Sequence, residues 1–471
     1  MKRLKYLLIS TLIFSTMGCS DFLELNPISN ANENGFYKSD KDMETALVSA
    51  YSTLYTIWGT EGLPSFYGEL MSDNVYSDNT GGTVADSKAF DTHIGMNTTN
   101  ELVEKFWEDY YKSIFYINQV IYKGSQLQSD KVKQFIAEAK FLRALYYFDM
   151  VRAWGDVPLV LEPVSVSESY SIARTPASQV YKKIQEDLID AANTLPDKKH
   201  ERFAGAATSD AANALLGKVL LTQGNKADAI TYLNKVYNKF QLADDYADLW
   251  DLNKKNGQES IFEIQYTTTN SSSQPYSPYW AMFTPLDNRV VTAWGGGYNQ
   301  VSLDLWNAYE PNDPRRDLSI ADGYDTPEGQ HIDVKYCIKW RDTEAPVDKL
   351  RELARNNFII LRYADVLLLL SEATGDAKYL NEVRRRVNLP EFGEPGYPSQ
   401  YTTLTAAIQH ERQVELGMEF HRWFDLQRLG TAAETIQNCS KNVSNPVYLL
   451  PIPQKVINQN PNIITQNDPY K

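Results

Sequence analysis

LGKVLLTQGNKADAITYLNKV, Leu216–Val236, carries two runs of apolar residues at helical spacing, separated by the short polar turn QGNKAD. Leu216 and Leu220 stand four apart in the first run, and Ala229, Leu233 and Val236 recur at four and three in the second, so each run buries one stripe of a helix. A turn this short holds the two helices antiparallel and in contact. Gly217 and Ala229 stand among the packing positions, and their small size lets the two backbones approach closely. The stretch predicts a tight helical hairpin.

This alternation of small and large packing residues follows the tetratricopeptide pattern of stacked hairpins. Looser pairs follow in Leu361–Arg386, again with a short Gly-Asp turn, and in Leu404–Gly430. Nearer the N-terminus, Ser39 and Asp42 offer an N-cap pair ahead of a stripe of Met43, Ala46, Leu47, Ala50, Tyr51 and Leu54. A second helix buries Leu102, Phe106, Trp107, Tyr110, Ile114 and Ile121, and a third ends at Gly155 ahead of Pro158. A fourth begins with Thr175 as cap and Pro176 in the first helical position. Repeated hairpins bury their faces by stacking, which curves them into a superhelix. The expected fold is mainly α: a tetratricopeptide-like α-α superhelix packed against an irregular, loop-rich portion with a few short β-strands.

Residues 245–350 supply that loop-rich portion. SIFEIQY alternates Phe262, Ile264 and Tyr266, and VKYCIKW alternates Val334, Tyr336, Ile338 and Trp340, so both predict short strands. TTTNSSSQPYSPYW (267–280) and TPLDNRVVTAWGGGYNQ (284–300) are loops rich in Ser, Pro, Gly and large rings. Sugar capture needs a flat apolar surface for the C–H face of the ring, flanked by amides, carboxylates or guanidinium groups for the hydroxyls. Trp294 and Tyr298 bracket three glycines whose bare backbone would let a polymer lie close, and Trp280 and Tyr279 occupy the adjoining loop. Asp287, Asn288, Arg289 and Asn299 are the polar partners. A second loop, Ser72–His93, adds Tyr76, Asp78, Asn79 and Phe90.

At the other end, Lys2, Arg3 and Lys5 precede about twelve mostly apolar residues, too few for a span of ~20, so residues 1–18 read as an export signal. Gly18 stands before Cys19, the arrangement in which a bacterial peptidase cuts ahead of a diacylglycerol-bearing cysteine. Cys19 is therefore the expected lipidation site, residues 19–36 a lipid-anchored linker, and residues 37–471 a single domain. The net charge of −14, more acidic still once the leader's cations are removed, argues against a nucleic-acid partner. Cys337 and Cys439 could pair in an oxidising compartment or stay free.

FLELNP (22–27), FYKSDKDMETALVSAY (36–51), AEAKFLRALYYFDMVRAWGDVPLV (137–160), LRYADVLLLLSEA (361–373), LNEVRRRVNLP (380–390), ERQVELGMEFHRWFDLQRLG (411–430) and LLPIPQKVINQNPNIITQN (449–467) recur in order along the chain. By these stretches it resembles the SusD/RagB family of outer-membrane lipoproteins. The resemblance implies a non-catalytic, cofactor-free protein at the cell surface. It also implies that the protein captures oligosaccharides and delivers them to a SusC-like TonB-dependent barrel transporter, on which it sits as a lid. In the family, ligand contacts come from the two loop regions just described.

Two other functions compete: a protein-binding adaptor working through its repeat surface, and a surface glycosidase, which needs two carboxylates facing each other across a cleft. Rings of residues 270–300 exposed together would favour glycan capture over the adaptor. No metal is expected. His410 and His421 are eleven apart, which does not place two ligands on one helix face, and Asp73, Asn74, Asp78 and Asn79 lack the spacing of a calcium loop. The charges from Glu411 to Arg428 are expected to form ion pairs between packed helices.

Overall fold

The structure, a computed structural model, describes residues 36–78, 84–267, 275–287, 295–345, 347–348, 351–352, 354–461, 463–468 and 470–471. Cys19 and its leader lie outside the described residues.

The principal helices are α1 (Asp40–Ser52), α2 (Val84–Thr92), α3 (Glu101–Gly124), α4 (Asp130–Trp154), α5 (Ala177–Thr194), α6 (Ser209–Thr222), α7 (Lys226–Leu233), α8 (Tyr279–Phe283), α9 (Leu303–Ala308), α10 (Pro314–Ser319), α11 (Tyr363–Thr374), α12 (Lys378–Arg386), α13 (Leu404–Leu416) and α14 (Arg422–Leu429). A π-helix, Pro64–Leu70, interrupts the series. Helices α3 to α7 each pack on the next, α7 continues onto α11, and α11 onto α12 and α13, which is the stacked order of a superhelix. Among the described residues no helix is long and apolar enough to cross a membrane.

The hairpin that opened the sequence reading is α6–α7. Thr208 caps α6 by accepting from the Ala211 N–H, and Asn225 caps α7 by accepting from Asp228. A Cβ on Gly217 would lie 2.5 Å from Leu233 Cγ, and Ala229 is fully buried, so the Leu233 side chain packs directly on the α6 backbone. Gly217→Leu gains helix propensity of about 0.8 kcal/mol but overpacks this contact. An overpacking cost of about 1–3 kcal/mol less that gain leaves about 0.2–2 kcal/mol net in urea unfolding, and a stabilised variant would refute the close approach. The capping box of α1 forms as expected, with the Ser39 hydroxyl on the Asp42 N–H and the Asp42 carboxylate on the Ser39 N–H. Helix α5 starts one residue later than its sequence suggests. Pro176 is the cap, and the Asp156 carboxylate accepts from the Ala177 N–H.

The strands are β1 (Val75–Tyr76), β2 (Ser260–Ile264), β3 (Gln300–Val301), β4 (Ile320–Ala321), β5 (Tyr324–Asp325), β6 (His331–Ile332), β7 (Tyr336–Cys337), β8 (Val347–Asp348), β9 (Arg351–Glu352) and β10 (Phe358–Arg362). All pair antiparallel in two-stranded ladders: β1–β3, β2–β10, β4–β7, β5–β6 and β8–β9. Every residue of β2 and β10 is buried, so the alternation in SIFEIQY separates two covered faces rather than core from solvent. Cys337 and Cys439 are both free thiols, and burial pushes that of Cys337 up to about 12.

The C-terminal charges do form buried ion pairs. Arg362 on β10 reaches Glu259, Glu415 and Glu419, and Arg315 on α10 reaches Asp313, Glu411 and Glu415. Arg384 joins Glu310 to Glu411, Arg386 joins Glu259 to Glu415, and Lys339 closes on Glu419. Glu69, at the end of the π-helix, docks on the turn after α13, where its carboxylate accepts from the Met418 and Phe420 N–H groups. Both residues have positive φ, 69° and 68°, which turns their amides toward one anion.

Candidate functional site

The two loop regions of the sequence reading do meet, although 220 residues separate them. The β1–β3 ladder pairs Tyr76 with Gln300 and Val75 with Val301, and the Asp78 N–H donates to the Gly297 carbonyl. Asn299 is locked beneath this junction, its side-chain amide donating to Ser65 Oγ at 3.1 Å.

Helix α8 sorts the two neighbouring rings. Successive helical residues point about 100° apart, so Tyr279 and Trp280 cannot share a face. Tyr279 enters the main core, its hydroxyl donating to the Trp58 carbonyl at 2.7 Å and its ring 4.7 Å from Phe358. Trp280 turns instead to a satellite cluster with Tyr336 and Ala354, bordered by the half-buried Tyr324, Val334 and Ile338. The Trp280 and Tyr336 ring centroids are 6.4 Å apart, and the Arg341 guanidinium lies 5.7 Å from the Trp280 ring. The Tyr324 hydroxyl donates to the half-buried Asp287 carboxylate, which ties the loop after α8 to strand β5. Apolar rings, a carboxylate and a guanidinium are thus assembled within one small cluster, the chemistry that a sugar ring requires.

Two expected platform residues are corrected. Tyr279 and Phe90 have no exposed surface, and Phe90 packs on Phe66 and Phe106 at 5.5 and 5.9 Å. Both rings serve the core because each faces inward from a helix, α8 or α2, and a ring without accessible area offers no stacking face. Tyr298 and Trp280 each keep 6% of their surface, Tyr298 lying against Phe66, so the rings described in 275–300 are not exposed together as expected. Tyr76 is half-buried. Trp294, Asn288 and Arg289 lie outside the described residues.

The glycines have a different role from the one anticipated. A Cβ on Gly295 would overlap the Pro285 carbonyl, and one on Gly296 would lie 2.6 Å from the Met282 oxygen. The Gly296 and Tyr298 N–H groups donate to the Ala281 and Met282 carbonyls, satisfying the orphan acceptors at the end of α8. They clear space for the chain's own backbone, not for a polymer. Sequence reasoning did not single out Tyr324 or Arg341, and it read Tyr336 only as a strand residue. Nothing local in their segments marks them, since they meet Trp280 and Asp287 only through tertiary packing.

Glu310, His410 and Glu411 bring three potential metal ligands within 4.8 Å of one another. Arg384 occupies Glu310 and Glu411, and Arg315 takes the other oxygen of Glu411, so guanidinium charge already stands where a cation would sit. His421 is elsewhere, accepting from the Lys218 ammonium at 3.0 Å, and burial beside that cation pushes its imidazole down to about 3.

Comparison with known proteins bears on this arrangement. A family model described as "Starch-binding associating with outer membrane" matches residues 21–221, and one described as "SusD family" matches residues 318–445. SusD-like protein P2 of Formosa agariphila is 29% identical over the whole of both chains. A SusD-like protein of Bacteroides ovatus is 26% identical over 90% of this chain and 82% of its own. Among solved structures, a laminarin-binding SusD-like protein is similar with a TM-score of 0.78 and 28% identity, over 91% of this chain and 99% of that one. Surface glycan-binding protein A from Bacteroides fluxus shares the fold, with a TM-score of 0.75 at 24% identity over 92% of this chain and 100% of its own. With family matches at both ends, full-length relatives and a shared helical architecture, the chain belongs to the SusD/RagB family.

Proposed function

We propose that this protein is a lipid-anchored, cell-surface glycan-binding protein of the outer membrane that captures oligosaccharides without cleaving them and passes them to a TonB-dependent barrel. The observation that carries the reading is the likeness, along nearly the whole chain, to a family member that binds laminarin. The satellite cluster supports it chemically. Trp280 is the described ring of the platform, with Tyr324, Tyr336 and Arg341 around it and Asp287 at its edge. Trp294, Tyr298, Tyr76, Asn288 and Arg289 complete the proposed platform. Cys19 is the proposed anchor, and residues 37–471 act as one unit.

The burial of Tyr298 and Trp280 favours the adaptor reading to the extent that it denies a broad exposed platform. A panel of soluble polysaccharides that includes laminarin separates the two. Glycan capture predicts binding to at least one neutral polymer, with chain length unchanged after long incubation. It further predicts that Trp280→Ala weakens that binding by about 1–3 kcal/mol, the cost of truncating an interface anchor. Affinity unchanged in Trp280→Ala overturns the platform, and no binding across the panel overturns the glycan reading. Copurification with a β-barrel protein in near-equal amounts is the expected result for the delivery step.

A further inference from the structure

The π-helix Pro64–Leu70 lies against the junction of the two loop regions and touches both. π-helices are rare, and those that occur concentrate at functional sites. Ser65 Oγ accepts from the Asn299 side-chain amide at 3.1 Å, and the Phe66 and Tyr298 ring centroids are 5.8 Å apart. Further along the same helix comes Glu69, with no exposed surface. Its Oε1 accepts from Asn74 Nδ2 at 2.8 Å and from the Met418 N–H at 2.9 Å, and its Oε2 accepts from the Phe420 N–H at 3.0 Å. Asn74 immediately precedes β1, and its carbonyl accepts at 2.9 Å from the N–H of Ser302, which immediately follows β3. The Ser302 hydroxyl donates to the Asp73 carbonyl at 2.6 Å. One carboxylate thus fastens this end of the β1–β3 ladder to the turn after α13.

We infer that Glu69, as its carboxylate, is a positioning residue for glycan capture that holds Tyr76 and Tyr298 in place across the β1–β3 ladder, a role that rests on the glycan platform proposed above. Glu69 itself touches no ligand. Among the described residues the groups bonded to its carboxylate are all N–H donors, so a proton on either oxygen confronts a donor. Met418 and Phe420 hold positive φ, a conformation that persists only where the surroundings fix it, and both amides face this one anion. Neutralising Glu69 weakens the hold on Asn74, and the loosening passes through Ser302 to the ladder. Burial pushes the carboxyl up to about 7, so ordinary buffers reach both forms. The surrounding charged groups keep one state across that range. Arg422 on α14 pairs with Asp73, Lys339 after β7 with Glu419, and Lys441 with Asp91 on α2, and all three carboxylates are held below their ordinary values. Burial pushes Cys337 up to about 12 and His93, just after α2, down to about 4. Of this set, Glu69 alone changes charge near neutral pH.

The test measures affinity for laminarin, or for whichever polymer of the panel the wild type binds, at about pH 6 and about pH 8. The wild type should bind about five- to tenfold more weakly at the lower pH, and Glu69→Gln should bind weakly at both. Equal wild-type affinity at the two values, or the same pH dependence in Glu69→Gln, overturns the inference and leaves the glycan reading standing. No binding by the wild type at either pH overturns both. A second readout needs no ligand. At the higher pH the Asp78 and Ser302 amides, which donate to Gly297 and Asn74, should exchange about fivefold faster in Glu69→Gln, with the α6–α7 hairpin unchanged. Unchanged exchange at those two amides overturns the inference, as does equal acceleration in the hairpin, the mark of a general loss of stability.

Discussion

Arg362→Met should destabilise the protein by about 3–5 kcal/mol in urea unfolding, the cost of removing one partner from a buried ion pair. The side chain is 1% exposed and bridges three carboxylates, from Glu259 just before β2, from Glu415 in the last turn of α13 and from Glu419 in the turn that follows it. Methionine fills most of its volume, so the loss reports charge rather than packing. Arg386, Arg315 and Lys339 remain as partial partners, which holds the loss within this range. A change below about 1 kcal/mol would mean that the network adjusts, and that its role lies in specifying the arrangement of helices rather than stabilising it.

The same network sets the response to pH. Neighbouring guanidinium groups hold Glu411, Glu415 and Glu419 below the ordinary carboxylate range despite the opposing effect of burial, and a lysine and an arginine do the same for Asp365. Groups with depressed folded-state values contribute stability that is present above their unfolded values near 4 and is lost as pH falls through the folded values. Glu69 runs the other way. Burial pushes it up to about 7 against three hydrogen bonds that favour its charged form. The folded state therefore keeps a proton between about pH 4.5 and 7 that the unfolded chain releases, and stability declines as pH rises through that window. Asp149, pushed up to about 6 by burial, adds to the decline. His93 and His421, whose imidazoles burial pushes down to about 4 and about 3, act in the opposite sense, because the unfolded chain takes up protons below pH ~6.5 that they refuse. The two effects offset one another between about pH 5 and 7, and stability should fall steeply only below pH ~4. Glu69→Gln should tilt the dependence between about pH 5 and 7 toward stability that rises with pH, and an unchanged dependence would remove Glu69 as a contributor.

Trp340→Ala should also cost about 3–5 kcal/mol, the range for deleting a large buried ring. Its indole is 1% exposed and stacks on Phe358 at 5.5 Å, with Tyr279, Phe283 and Trp250 at 5.1 to 5.8 Å. This cluster ties the loop-rich portion to the strand pair β2–β10. The contrast with Trp280 is the useful control. Trp280 belongs to the satellite cluster, so the proposed function expects its truncation to act mainly on glycan affinity. Equal stability losses at the two tryptophans would show that Trp280 is also a core ring.

Helices, caps and the α6–α7 hairpin were legible in the sequence because they depend on residues within a few positions of one another. Ser39 and Asp42 cap α1 by local hydrogen bonds, and Gly217 faces Leu233 across a short turn. Apolar period and turn length sufficed, and the family motifs added the architecture. The sequence also marked the charged block of α13 and α14 as ion-paired but could not name the partners, since Arg362, Arg315 and Asp73 arrive from 53, 100 and 349 positions away. Tertiary structure alone decided which rings face outward. Tyr279 and Trp280 are chemically similar neighbours, and only the direction in which α8 is laid on the core sends one inward and the other to Tyr336. The glycines of 295–297 look like open space in a sequence, yet they are small because the end of α8 requires their amides at close range. Local rules fix what each segment is, whereas the side of it that remains free depends on what packs against it.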